Sequence, residues 1–407
     1  MTNNLDKNEN KVDRDLSGLS FESRDGIKEV VKRSDRFRPF STFSIRHFDF
    51  MLLFLVVLLN IIGLYAIGSA EPELQKTQTE GMIFSLIVMT FVSAIDYHKL
   101  LKFSPLWYAT SIILLLAVLV FGSSAGGSQR WLIILGVRFQ PSEFAKILLI
   151  LFFAAFIMKF REKIHKIPVI LAAVAFALLP IGLVYLQPDL STSIMIFIIF
   201  CAMMFVGGLS WKLIGTVLVV AVPSVIVVFN MILQEGQTLV NDYQRGRVLA
   251  WLHPEQYEDT LSYQTMNSIM AIGSGQLLGK GYNTNEISSL LNSGYISESQ
   301  TDFIFTVIGE ETGFLGSVVV VLLIVLIAAR CMFLAYHAHD IAGSVIAVGV
   351  GAWIGFQGCM NIGVATGILP NTGIPLPFVS YGLTSLLCLY VGIGLVLNVH
   401  MQEKKRR

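Results

Sequence analysis

The chain has 407 residues, of which 54% are hydrophobic and only 14% charged, with a formal net charge of +1. Long stretches almost free of charge exclude an ordinary soluble domain and point to membrane insertion. Cys201, Cys331, Cys359 and Cys388 stand singly inside apolar stretches, which excludes the paired spacing of a metal site or a disulfide framework.

Residues 1–46 mix ten basic with eight acidic side chains and contain no long apolar run, so they are expected to form a cytoplasmic, partly disordered tail. Apolar runs then follow near 48–68, 80–96, 103–121, 141–158, 167–186, 190–207, 211–229, 303–329, 341–361 and 377–399. A helix needs roughly 20 such residues to cross the hydrocarbon layer, because every backbone polar group must be satisfied within it. The expected fold is therefore all-α: a polytopic membrane helical bundle of about ten transmembrane helices, spanning 47–400, with a large structured extracellular loop over 230–302 and a basic cytoplasmic tail at 401–407.

Starting inside places Lys99, Lys102, the cluster Lys159, Arg161, Lys163 and Lys166, then Lys212, Arg330 and the basic tail in the cytoplasm. Both termini are then cytoplasmic. Four polar regions, 122–140, 187–191, 230–302 and 363–377, come to the outer face, where they suit a membrane-surface cavity.

The first outer region carries a glycine- and serine-rich stretch, 122–128, expected to be flexible, followed by Arg130 and Trp131. Arg130 suits a diphosphate, and Trp131 suits either a sugar face or the interfacial aromatic belt. Glu143 and Lys146 are three apart, so they share a helix face as a charge pair that lowers insertion cost; packing is their plainer role and a proton path the alternative. Asp189, in Gln187-Pro188-Asp189, reads as an outer turn and helix cap that also lies within reach of a substrate.

In the long loop, Arg245 and Arg247 can hold phosphate, and one of the two is expected to engage substrate; anionic lipid headgroups account for the same composition. Residues 264–272 suit a short helix before the turns permitted by Gly273, Gly275, Gly279 and Gly281. Asp302 immediately precedes an apolar run, where capping a helix and accepting a proton are equally natural uses of a carboxylate. Glu298 is a weaker alternative base or electrostatic helper, and an ordinary solvated loop acid otherwise. Glu310, about two turns below Asp302, is a buried strut or a proton-path residue. Repeated prolines over 370–377 break the helix, and Ser380 is expected to line the cavity at the chain's re-entry.

Glycosyl transfer needs a positioned carboxylate to take the proton of an attacking hydroxyl and positive charge to offset a departing diphosphate. Asp302 is the preferred base. No Walker pattern is present, so nucleotide hydrolysis has little support.

Taken in order, Arg130-Trp131, Gln140-Pro141-Ser142-Glu143 with Lys146, Gln187-Pro188-Asp189-Leu190, Tyr243-Gln244 with Arg247, Thr301-Asp302-Phe303 with Gly309-Glu310-Glu311, and Pro375-Leu376-Pro377-Phe378 with Ser380-Tyr381-Gly382 resemble the SEDS family (RodA, FtsW, SpoVE), RodA most in appearance. Ser297, Ser299-Gln300, Asn267, Gln276 and Leu383 depart from its usual pattern. The resemblance implies an inverting peptidoglycan glycosyltransferase of the bacterial inner membrane. Such an enzyme polymerises lipid II through β-1,4 linkages and releases undecaprenyl diphosphate, with Asp302 as the essential acid and Trp131 functionally important. It further implies lipid II and the growing glycan strand as substrates. A class B penicillin-binding protein transpeptidase and other elongation-complex membrane proteins are the implied partners, with no nucleic acid among them. No cofactor follows from the residues. A divalent cation such as Mg2+ or Mn2+ is compatible with the diphosphate chemistry, but no dedicated metal motif names its ligands. Septal synthesis of the FtsW kind, or lipid II transport without polymerisation, are the alternatives.

Overall fold

The computed structural model describes residues 48–125, 128–134, 137–210, 215, 231, 242–257, 262–283 and 298–402. The N-terminal tail, the expected span at 211–229 (apart from residue 215), part of the long loop and the last five residues lie outside that set.

The chain begins its bundle at α1 (Phe50–Ala70), whose first turn is capped by Asp49 accepting from the Leu52 amide at 2.8 Å. Proline in the first turn, where a missing N–H costs nothing, opens α2 (Pro72–Ala94), α4 (Ser104–Phe121), α5 (Pro141–Phe160) and α6 (Ile167–Leu186). A short α3 (Tyr97–Lys102) joins α2 to α4, and α7 (Leu190–Val206) follows α6. Next come α8 (Asp242–Leu252) and α9 (Tyr263–Ser274), then α10 (Ile304–His337), α11 (Ile341–Ala365) and α12 (Leu383–Met401).

Six of these helices are long and apolar enough to cross a membrane: α1, α4, α6, α10, α11 and α12. The protein is thus a largely helical, polytopic membrane protein. Burial sorts the helices into an inner and an outer set. Nearly every residue of α5 from Pro141 to Ile157 is buried, as are most of α11 and α12, whereas α4 and α6 bury only narrow stripes such as Ser111, Leu115 and Val118 or Ala173, Ala177 and Val184. The remaining apolar surface of α4 and α6 suits lipid contact, and the small residues of the α6 stripe permit close helix approach.

Three elements differ from expectation. The first outer region, expected to open on a flexible stretch over 122–128, carries a three-stranded antiparallel meander, β1 (Ser123–Ala125), β2 (Ser128–Ile134) and β3 (Val137–Phe139), with Ser123 opposite Trp131 and Ile133 opposite Arg138. Its β-branched and aromatic residues favour pairing. The last helix starts at Leu383 rather than 377, because Phe378 takes φ 62° and Gly382 φ 161°, ψ 96°, neither of them helical. Finally, α10 is not one straight rod: 34 residues would measure about 51 Å, well beyond a hydrocarbon core of ~30 Å, and Gly313 at φ 64°, ψ −159° breaks it. Residues 304–311, before the break, are all buried, and Asp302 sits at their head.

Candidate active site

The site is built on a stretch of non-helical backbone, residues 371–382, packed among helices. Carbonyls in such a place need donors, since no water is at hand to satisfy them. Four carboxamide side chains supply them. Asn60 donates to the Phe378 carbonyl at 2.7 Å, Gln78 to Ser380 at 3.2 Å, Gln357 to Pro375 at 3.0 Å and Asn361 to Ile374 at 2.8 Å. The same Asn361 amide donates to the Asp302 carbonyl at 2.8 Å, which ties the head of α10 to the loop. Ser380 completes the tie: its hydroxyl donates to the Thr301 carbonyl at 2.6 Å and accepts from the Leu376 amide at 2.7 Å. Ser380 is buried and its hydroxyl already engaged, so it holds the wall of the site rather than presenting a group to it.

Gly373 occupies the centre of the cluster. A Cβ placed on it would lie 3.4 Å from Asp302 Oδ2, 3.5 Å from Arg130 Nη1 and 3.9 Å from Arg247 Nη1. Its φ of +69° is one that side chains rarely adopt. One carboxylate and two guanidiniums thus converge on a point that only glycine leaves open.

Each arginine is aimed by a backbone carbonyl. Arg130 on β2 donates to Pro188 at 3.0 Å with its Nε 3.6 Å from Asp189, and Arg247 on α8 donates to Asn371 at 3.1 Å. Asp189 in turn caps α7, accepting from the Thr192 amide at 3.0 Å and the Thr192 hydroxyl at 2.9 Å. Its expected cap role is present, and it also orients Arg130.

Asp302 itself does not cap α10: the N-cap is Phe303, with no side-chain cap bond. Its carboxylate has no hydrogen-bond partner among the described residues. It keeps part of its surface accessible, yet enclosure by neighbouring atoms is the largest influence on it and pushes its pKa up to about 6. The nearby Glu298 and Asp189 charges add to that rise, while Arg247 and Arg130 oppose it. Glu298 is exposed and accepts from the Thr301 hydroxyl at 3.0 Å.

The other candidate residues fall elsewhere. Arg245 lies roughly 200° around α8 from Arg247, and it is Arg247 whose charge acts on Asp302. Trp131 follows Arg130 on β2, so it projects to the opposite face of the strand. Glu143 and Lys146 pair at 2.7 Å deep in the bundle, with Ser385 donating to Glu143 at 3.1 Å and Gln357 accepting from Lys146 at 3.3 Å. Glu310, fully buried, pairs with Lys280 at 2.8 Å and fastens the turn after α9 to α10.

Sequence reasoning passed over Asn60, Gln78 and Gln357, and read Asn361 and Gly373 only as parts of a broken, structured loop. The carboxamides had a signal, an uncharged hydrogen-bonding group inside an otherwise apolar run; Trp353, Gln357 and Asn361 even recur at four-residue intervals on one face of α11. Among the described residues no group of three or more His, Cys, Asp or Glu side chains is arranged to hold a metal ion. At Asp302 the charges set beside the carboxylate are the guanidiniums of Arg130 and Arg247.

A family model described as cell cycle protein, comprising FtsW, RodA and SpoVE, matches residues 42–405. The chain is 35% identical over 365 residues to the peptidoglycan glycosyltransferase MrdB of Escherichia coli K12, covering 88% of this chain and 95% of that one. Among solved structures it matches a chain of a peptidoglycan synthase complex that coordinates polymerization and crosslinking, with TM-score 0.70, 30% identity and coverage of 87% and 97%. It also matches the rod shape determining protein RodA of Thermus thermophilus, with TM-score 0.64, 27% identity and coverage of 88% and 98%.

Proposed function

The chain belongs to the FtsW, RodA and SpoVE family, and from that premise we infer that it is a peptidoglycan glycosyltransferase of the inner membrane, polymerising lipid II into β-1,4-linked glycan. The observation that carries the chemistry is the convergence of Asp302, Arg130 and Arg247 on Gly373. A carboxylate held without hydrogen-bond donors, with a pKa near neutrality, is suited to accept a proton.

In this reading the acceptor hydroxyl gives its proton to Asp302 as its oxygen bonds to the anomeric carbon of the donor. The bond from that carbon to the phosphate oxygen breaks, and undecaprenyl diphosphate leaves with the electron pair. Arg130 and Arg247, already aimed by backbone carbonyls, offset the charge that develops on the diphosphate. Direct displacement at one carbon inverts its configuration. The reading needs no protein-held metal; Mg2+ or Mn2+ enters it only as a counter-ion of the substrate diphosphate.

We place Asp302 on the outer face, both termini inside, and the span count at about ten. Side-chain contacts support two opposite ends. His98 pairs with Asp340 at 3.0 Å and contacts Gln402, while Arg330 pairs with Asp49, which gathers the basic turns at one end. Asp302, Arg130, Asp189 and Asn371 gather at the other. The match to a complex that also crosslinks supports a transpeptidase partner of the class B penicillin-binding kind, and the RodA likeness supports a role in elongation rather than septation.

Reconstitution in vesicles with lipid II tests the reaction itself. Glycan chains longer than the disaccharide unit are expected. Movement of lipid II between leaflets with no chain growth would replace the polymerase reading with transport.

A further inference from the structure

Beside the Asp302 cluster, between α8, α9 and residues 367–371, lies a cavity of about 70 Å³. That volume admits a group of a few heavy atoms. Ala250, Trp251, Met266, Ile269, Leu369 and Pro370 give it apolar walls, and Arg247 and Asn371 give it polar ones.

Building on the glycosyltransferase reading, we propose that this recess recognises the 2-acetamido group of one sugar unit of the glycan substrate. An acetamido group is a methyl joined to a planar amide with one acceptor and one donor. The methyl matches the apolar walls, and the carbonyl matches Arg247. The N–H faces the polar side of the recess, where Asn371 lies beside Arg247.

Placement follows from Arg247. The guanidinium that lines the recess also donates to the Asn371 carbonyl at 3.1 Å and reaches within 3.9 Å of the Cβ position at Gly373. Asn371 and Gly373 are two residues apart, at most ~7 Å of chain, so a sugar seated by its acetamido group borders the point where Asp302 acts. The walls are fixed beforehand. Trp251 Nε1 donates to the Gly367 carbonyl at 3.0 Å, and the Ser262 hydroxyl to the Ala250 carbonyl at 2.9 Å.

The test compares glycan growth on lipid II with growth on a lipid II analogue carrying N-butanoyl in place of N-acetyl groups. It uses the reconstituted full chain and the variants Ile269→Ala and Thr265→Phe. Wild type is expected to prefer the N-acetyl substrate by about 10-fold or more in kcat/KM, the usual effect of surplus methylenes in a hydrophobic pocket. Ile269→Ala, which enlarges the recess, is expected to reduce that preference several-fold. Thr265→Phe, which fills it, is expected to raise KM for lipid II more than it lowers kcat. Equal use of both substrates by wild type, or an unchanged preference in both variants, would mark the cavity as a packing void and overturn the proposal. Absence of growth on lipid II by wild type would instead overturn the glycosyltransferase reading.

Discussion

Two charged clusters in this molecule are made of the same ingredients and arranged to opposite ends. At Glu143 and Lys146 each charge is closed off: one carboxylate oxygen takes Lys146 at 2.7 Å, the other takes Ser385, and Lys146 also reaches Gln357 and lies 4.5 Å over the Trp353 ring. At Asp302 the two guanidiniums are tied to backbone carbonyls instead, and the carboxylate is left without a donor. A buried charge with every valence met is a strut, because removing either partner strands the other. A carboxylate held near opposite charge but not bonded to it retains its capacity to take a proton.

The largest effect that separates the two clusters is expected at Asp302. Asp302→Asn should lower kcat for glycan growth by ~10²–10⁴-fold, the usual contribution of a general base. Stability should move the other way. The folded carboxyl titrates near 6 against an ordinary 3.8, so the folded state binds more protons and loses stability as pH rises through that interval. At pH 7 the penalty is fully present, at most about 3 kcal/mol, and the neutral amide removes it. Thermal unfolding in detergent should therefore place Asp302→Asn at or above wild type at pH 7, with the gap closing below about pH 4. A clear loss of stability at pH 7 would mean the carboxylate is a strut after all.

Lys146→Met is expected to do the reverse, costing roughly 3–5 kcal/mol of stability by leaving Glu143 buried and uncompensated. Combining it with Glu143→Gln should recover most of that loss; a double variant as unstable as the single one would contradict the pairing argument.

Next in size is Gly373→Ala. The methyl enters the gap between Asp302 and both arginines, and the positive φ adds about 1–2 kcal/mol of backbone strain. Activity is expected to fall at least as far as stability, and full activity would show that the gap is not where substrate sits.

The smallest expected effect concerns pH. The rate of wild type should rise through about pH 6 as Asp302 loses its proton. In Arg247→Met a charge that favours the carboxylate is gone, so the rise should shift to higher pH. A shift to lower pH would contradict the assigned electrostatics.

The membrane character of α1, α4, α6, α10, α11 and α12 was legible because hydrocarbon imposes length and apolarity on a helix, and both can be read from residue order. Asp302 was legible as an acid at a helix start, but its release from capping was not: that depends on Phe303 donating to the Glu298 carbonyl, a matter of turn geometry. Arg245 and Arg247 were indistinguishable until α8 set their angular positions. The meander holding Arg130 was missed because short strands among glycines and serines give little periodicity to count. The carboxamides that support residues 374–382 were missed for a different reason. Their role exists only once distant helices bring Asn60, Gln78, Gln357 and Asn361 against one loop.

The most direct measurement of the central claim is chain growth on lipid II by reconstituted wild type and Asp302→Asn, normalised to folded protein. Long glycan from wild type and essentially none from the variant, at equal folded yield, is the predicted result. Glycan of normal length and rate from the variant would contradict it.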